Sequence, residues 1–457
     1  VQENRVPPLL IDSLTTTAPL AEVFSDESVF QALLDFEAAL ARAEARNGVI
    51  PGTAAKAIET AADAKKFDVS SLAAEFLRAG TPGIPLVKAL TAKVRESNEE
   101  AARFIHWGAT SQDAADTALV LLLKRSQPVL AADLARLEKA LAALSEKYRD
   151  TVMLGRTLLQ AAPPVTLGLK AAGWLAAIRR SWARLDAAFA ESLVLQFGGA
   201  SGTLAALGNK GLEVGSALAR DLGLAFPDAP WHAHRDRLAA LVVACGVLTG
   251  CLGKMARDLA LLMQGEVAEA AEPVGGGRGG SSAMPQKRNP IASAVALAAA
   301  NRVPGLVAAF LAGMVQEHER GLGGWQAEWP TVASVVQSTG VALASMAEAA
   351  EGLDVSETQM RENIAATNGA VFAERVSMLL AASLGREQAH TIVEDAVRRS
   401  ELQRRKLGDV LADNPDVTRL IDRDLLRDLD NPESYLGVAE TLRQRLLAGT
   451  EKPDKSR

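Results

Sequence analysis

Between Leu238 and Leu262, apolar side chains return at Leu238, Leu241, Cys245, Leu248, Leu252, Met255, Leu259 and Leu262, alternately three and four residues apart. That rhythm keeps them on one face of an α-helix. A strand cannot satisfy it, because a strand turns its side chains over at every second residue. The spacing predicts a helix over Arg235–Ala270, roughly 50 Å long at 1.5 Å per residue, packed lengthwise against partners. Comparable Ala/Leu-rich runs cover Asp116–Tyr148, Leu167–Glu191, Ser293–Glu317 and Thr331–Leu353, and Pro128 and Pro304 are expected to kink two of them. Few Val/Ile/Thr alternations compete, and aromatics are only 4% of the chain. The expected fold class is therefore all-α: an elongated, three-part subunit around a central bundle of long helices. Helices apolar around so much of their circumference also predict a bundle shared between subunits, hence a homo-oligomer.

The 457 residues divide on texture into an N-terminal helical domain, 1–109, a central long-helix bundle, 110–355, and a small C-terminal helical domain, 356–457. Ser25 has the character of an N-cap for a helix carrying Val29, Leu33, Phe36, Leu40 and Ala43, which Asn47-Gly48 and Pro51 stop. Gly80, Pro82, Gly83 and Pro85 break Leu72–Ala92 into short pieces leading to His106-Trp107-Gly108. Beyond Asp354, Arg and Asp become commoner and turns are marked by Asn414-Pro415 and Asn431-Pro432, while Thr450–Arg457 reads as a frayed tail. A net charge of −6 with no basic stripe argues against a nucleic-acid partner. Cys245 and Cys251 lie inside an apolar helical stretch, which argues against a disulfide framework or a zinc site. Val1–Leu10 lacks a signal-peptide core, and the run Leu241–Gly253 is too short to span a bilayer. A cytoplasmic protein without a membrane partner is expected.

The segment Glu272–Pro290, EPVGGGRGGSSAMPQKRNP, departs from this helical texture. Gly275, Gly276, Gly277, Gly279 and Gly280 give a backbone that cannot be rigid by itself. The hydroxyl pair Ser281-Ser282 follows, then the cation Lys287 and the amide Asn289. A phosphate cradle would need Gly-Lys-Ser/Thr after a strand, whereas Arg288 follows Lys287 and helices flank the loop. A surface linker is the plainer alternative.

Gly280–Pro290 resembles, at every fixed position, the GSS-x-MP-x-K-x-NP loop of the fumarase/aspartase superfamily. His106–Thr117 (HWGATSQDAADT) is similar to that family's Thr-Ser-x-Asp block, and Gly155–Thr166 (GRTLLQAAPPVT) to its GRT-H-x-Q block. The order and separation of the three fit the family along essentially the whole chain. The resemblance implies that Ser281 is the proton-transfer residue beside a substrate carboxylate. Lys287 and Asn289 would hold that carboxylate as it becomes dianionic, where preplaced donors stabilise growing charge selectively. Thr110, Ser111 and Gln160 match substrate-binding positions. A homotetramer is implied, with each site drawing on three subunits, and no cofactor and no metal.

Two positions depart from the pattern. The family's acid histidine and its supporting glutamate are here Leu158 and Ala294. Gln286 and Gln326 stand where relatives often carry histidine, so no imidazole acts there. An amine or hydroxide leaving group needs an acid. A carboxylate, which ordinarily titrates near a pH of about 4, departs or attacks as a stable anion. The pattern therefore resembles the lactone-closing cycloisomerases of the family, acting on a small tricarboxylate. FEAALARAEA (Phe36–Ala45), LQFGGASGTLA (Leu195–Ala205), PWHAHRDR (Pro230–Arg237) and QEHERGLGGWQAEW (Gln316–Trp329) resemble the same branch. A C–N lyase of the adenylosuccinate lyase type and a non-catalytic relative such as the lens crystallins are the alternatives. Leu158 argues against the first; intact Ser281, Lys287 and Asn289 argue against the second.

For a tricarboxylate, Arg320 is the attractive cation, since its planar fork matches a carboxylate; a salt bridge to Glu317 or Glu319 is the alternative. His106 is a substrate-contact candidate by its place in the motif block. Arg156 reads as a structural arginine, Arg235 as either, and Trp325 and Trp329 as interface packing. His232-x-His234 is weak as a metal pair, and His318 and His390 read as plain polar positions.

Overall fold

The apolar rhythm at the centre of the chain does become helix. The computed structural model describes residues 10–274, 279, 280, 284 and 287–449. The two terminal segments, and Ser281, Ser282 and Gln286 of the loop, lie outside the described residues. In chain order come α1 (Ala18–Val23), α2 (Asp26–Arg46), α3 (Gly52–Ala61), α4 (Val69–Ala79), α5 (Gly83–Arg95) and the long α6 (Ser111–Lys147). A hairpin follows, β1 (Val152–Thr157) and β2 (Gln160–Thr166), then α7 (Leu167–Ser192), α8 (Gly211–Leu222), α9 (Asp236–Leu262), α10 (Ile291–Ala312) and α11 (Gly324–Glu351). The helices described between Glu357 and Ala448 have 18 residues or fewer, so the change of texture read near Asp354 marks the end of the long helices.

Local signals act as their chemistry dictates. Ser25 Oγ accepts the Ser28 N–H at 3.2 Å and caps α2, while Asn47 and the left-handed Gly48 (φ 69°) end it. Gly80, also left-handed, closes α4. Helices α6 and α10 run on through Pro128 and Pro304. One expectation is corrected: α9 stops at Leu262 instead of reaching Ala270, about 40 Å rather than 50 Å. Ala268 adopts φ 48°, and Ala270–Ala271 (β3) pair antiparallel with Asp354–Val355 (β4). The Glu269 carboxylate is engaged by Arg156 and Asn363. Pairing and a buried ion pair override the local periodicity there.

The chain forms two compact units, each assembled from three segments because the long helices run from one into the other. The first holds residues 1–135, 180–253 and 295–345; the second holds 136–179, 254–294 and 346–457. In the first, Leu33, Phe36 and Leu40 of α2, Leu119, Leu122 and Leu130 of α6, Leu241, Leu248 and Leu252 of α9 and Val332 and Val335 of α11 are all buried. Small residues let α9 and α10 approach closely: a Cβ at Gly253 would lie 2.5 Å from that of Ala300. Both helices are long and apolar enough to cross a membrane. The apolar window of α9 is 61% buried, as in a core helix, against 22% for α10, which leaves α10 largely uncovered in the single chain.

In the second unit, β1 and β2 pair with a bulge at Leu154/Gly155, where any Cβ on Gly155 would lie 2.4 Å from the Pro163 carbonyl. The turn residues are Leu158 and Leu159, both left-handed (φ 50° and 66°). Asn-Gly is the usual occupant of such a turn, so two leucines there carry backbone strain.

Candidate active site

The Thr-Ser-x-Asp block enters the first unit at the start of α6, and Asp113 organises it. Its buried carboxylate accepts the Gly198 N–H at 3.0 Å and the Gly199 N–H at 2.9 Å. It also accepts the Thr110 N–H at 3.0 Å and lies 2.7 Å from His232 Nε2. One carboxylate thus ties the 198–199 turn, the helix N-terminus and His232 together. Two glycines are needed for the fit: a Cβ at Gly199 would lie 2.8 Å from the Gly108 carbonyl, and one at Gly83 would lie 2.4 Å from Ser111 Oγ.

Arg320 is brought to this assembly. Its guanidinium donates to Thr110 Oγ1 at 2.6 Å, to the Ala200 carbonyl at 2.7 Å and to the Gly199 carbonyl at 3.3 Å. All three acceptors are neutral, and no carboxylate among the described residues pairs with it. The expected alternative of a salt bridge does not form, because Glu317 instead accepts the Leu322 N–H at 2.9 Å. Arg320 is therefore a half-exposed cation, fixed in direction but not neutralised.

Arg235 is different. Fully buried, it donates to Asp116 at 2.8 and 3.0 Å and to Glu328 at 2.6 Å, and stacks on Trp231. Asp116 also accepts from Gln112, Gln196 and Trp325. Burial alone would raise the Asp116 carboxyl, but Arg235 and these donors hold it below its ordinary value. Glu328 has fewer donors, and there burial prevails and raises it. Arg235 is thus a structural cation, and the Trp325 indole belongs to this network. His232 likewise has a carboxylate partner, Asp113.

Beside the block, His106 Nδ1 lies 2.6 Å from Glu37 Oε1, and Glu37 is buried on α2. Seven residues further along α2, Glu44 is also buried and both its carboxyl oxygens lack a hydrogen-bond partner among the described residues. Burial, reinforced by neighbouring Glu37, pushes the Glu44 carboxyl up to about 9. Burial would lower the His106 imidazole, but Glu37 through charge and hydrogen bond, with Asp113 behind it, raises it.

The remaining candidates lie in the second unit. Lys287 is exposed, its backbone N–H bonded to the Met284 carbonyl at 3.0 Å. Asn289 closes back on the loop: its N–H reaches the Gly279 carbonyl at 2.9 Å and its side chain the Gly280 carbonyl at 3.4 Å. Gln160 is exposed at the start of β2, next to the turn that projects Leu158, 97% exposed. Arg156 makes a two-pronged pair with buried Glu269 at 2.9 and 2.6 Å, so it is structural. Glu272 is a residue beside the candidate site that sequence reasoning missed. Its carboxylate accepts the N–H groups of Ala292 and Ser293, each at 2.8 Å, and the Ser293 hydroxyl at 2.6 Å. Glu272 thereby caps α10 and ties the two ends of the Gly/Ser segment together. A carboxylate at the near end of the loop and a serine at position three of the next helix were the available signal.

Thr110, Ser111, His106 and Arg320 are thus gathered in one unit, and Lys287, Asn289 and Gln160 lie in the other. The described residues do not include Ser281. A family model described as a lyase matches residues 13–305, and one described as the adenylosuccinate lyase C-terminus matches 369–446. The chain is 48% identical to the 3-carboxy-cis,cis-muconate cycloisomerase of Bradyrhizobium diazoefficiens over 97% of its length and 98% of the relative. It is 50% identical to the enzyme of the same name from Pseudomonas aeruginosa, over 96% of each. The crystal structure of the 3-carboxy-cis,cis-muconate lactonizing enzyme from Pseudomonas putida matches with a TM-score of 0.90 at 45% identity, over 96% of this chain and 98% of that one.

Proposed function

Because the chain belongs to the lyase family of the fumarase/aspartase type, we propose that it catalyses the lactonising isomerisation of 3-carboxy-cis,cis-muconate, a step of aromatic catabolism through protocatechuate. One carboxylate of the substrate adds to its own alkene and forms the ring C–O bond. The alkene electrons pass to the carbon beside a second carboxylate, giving an enolate-like dianion. Lys287 and Asn289 stabilise that dianion, and the Ser281 hydroxyl delivers the proton that completes the new C–H bond. The serine then regains its proton from solvent. Thr110, Ser111, Gln160 and His106 bind the substrate, and Arg320 binds a further carboxylate bidentately.

The observation that carries this reading is position 158. A strained turn presents the hydrocarbon side chain of Leu158 where an amine-expelling relative would carry its acid, and a carboxylate needs none. Arg320, a directed cation with neutral partners only, supports a substrate rich in carboxylates. The reading includes a cytoplasmic homotetramer, without cofactor or metal, whose subunits share the site. The uncovered apolar surface of α10 supports that assembly.

Loss of the ultraviolet absorbance of 3-carboxy-cis,cis-muconate, followed with chelator present, tests the activity. Turnover of that compound and not of adenylosuccinate is expected. Turnover of adenylosuccinate alone overturns the assignment, and inactivity on both favours a non-catalytic relative. Light scattering in solution tests the tetramer.

A further inference from the structure

Glu37 lies on a helix that carries none of the residues assigned above, yet it is buried and directed at His106. The pair is short, 2.6 Å between Nδ1 and Oε1. The imidazole is held from behind while Nε2 has no partner among the described residues. The His106 backbone is left-handed (φ 59°), a conformation that costs energy in a residue other than glycine and persists where surrounding contacts impose it. The same segment supplies the Gly108 carbonyl against Gly199 and the Thr110 hydroxyl to Arg320, so His106 shares a neighbourhood with the directed cation.

We infer that Glu37 is a positioning residue: it fixes the Nδ1–H of a cationic His106 so that Nε2–H is presented to a carboxylate of the substrate. This rests on the cycloisomerase reading for the identity of the substrate, but not for the pairing itself. The charged groups acting on the imidazole are Glu37 from α2 and Asp113 from the start of α6, and both favour its protonated form. Glu44 lies two turns beyond Glu37 on the same face of α2. A second anion there would repel Glu37; held uncharged through neutral pH by burial, Glu44 leaves a single carboxylate to face His106. A tricarboxylate thus meets two cations of unlike kind, a forked guanidinium and a single N–H donor.

Raising the pH through the elevated value of His106 removes the cation, so kcat/KM should fall on the alkaline side. In Glu37→Gln that fall should begin at lower pH, because the charge that raises His106 has gone. Steady-state kinetics on 3-carboxy-cis,cis-muconate from about pH 6 to about pH 9 read this in the full-length protein. Glu37→Gln should raise KM about tenfold or more, the scale of one charge-assisted hydrogen bond, with kcat nearly unchanged. His106→Asn should raise KM similarly, and the double variant should be no worse than His106→Asn alone. Additive losses, or an unshifted alkaline fall in Glu37→Gln, overturn the inference. A second measurement needs neither substrate nor a stable variant of Glu37: NMR titration of histidine-labelled wild-type protein, with His106→Asn assigning the resonance. His106 should titrate above the ordinary histidine value; titration at or below it overturns the pairing. Absence of turnover by the wild-type protein would count against the cycloisomerase reading alone.

Discussion

The two groups of candidate residues are held in opposite ways. Around Asp113, one buried carboxylate accepts from two backbone N–H groups of a turn and one at a helix N-terminus while facing His232, so Thr110 and Arg320 have little freedom. Around Lys287, the described contacts are backbone bonds of the loop to itself, the Asn289 amide on the Gly280 carbonyl, and two carboxylates, Glu272 at its base and Asp354 on Arg288. The difference matches what each must do. In the proposed reaction, carboxylates that keep their charge throughout would be served by these fixed donors. On the proposed mechanism, the groups that meet changing charge belong to a segment whose two flanks are joined by Glu272. If those roles hold, preorganisation lies mainly in the first group, and chemistry in the second.

The largest effect expected from this contrast is that of Ser281→Ala. Removing the proton donor should lower kcat about a thousandfold or more, the scale of general acid–base catalysis, with circular dichroism and substrate affinity unchanged. A variant with near-wild-type kcat would remove the loop from the chemistry and leave only the Asp113 group as a functional site. Arg320→Lys should act on the other term. A lysine keeps the charge but cannot reach Thr110 Oγ1 and the Ala200 carbonyl together while presenting a fork. KM should rise about ten- to a hundredfold with kcat little altered. A fall in kcat at constant KM would mean that Arg320 meets charge formed in the transition state, and the division of labour would fail.

The sequence foretold the helices by period, for a physical reason, while the loop group is proposed from its motif. A helix face records its burial in a regular repeat, which is why α9 was legible from Leu238 to Leu262 and misjudged only where β3–β4 pairing and Glu269 intervene. The glycines and hydroxyls of the loop suggest their chemistry through residue type and spacing alone. Buried charges leave no such record. Nothing about Arg235 in PWHAHRDR distinguishes a cation locked between Asp116 and Glu328 from one that meets substrate, since its partners lie 119 and 93 residues away. Glu37 passed unnoticed in the apolar run of α2 for the same reason: its partner His106 is 69 residues distant. The sequence fell short where function depends on pairing between distant residues.

Glu272 gives the mildest and most discriminating test, because it is a buried carboxylate that holds the Gly/Ser loop as Asp113 holds its turn. Glu272→Ala removes three hydrogen bonds, two of them to backbone N–H groups in the first turn of α10. As a cap it should cost about 1–2 kcal/mol, which in a protein of this size shifts the thermal midpoint by only about 2–4 °C. Stability and catalysis then separate two accounts of the loop. If clasping its ends places Lys287 and Asn289, kcat/KM should fall about tenfold despite the small thermal shift, since a displacement of about 1 Å at a reacting centre can cost as much or more. Lys287 and Asn289 follow Glu272 by 15 and 17 residues, and the clasp closes at Ala292 and Ser293 just beyond them. A thermal shift with full activity would show that substrate, not the clasp, orders the loop, and the contrast between the two groups would then be one of fixed against substrate-ordered donors.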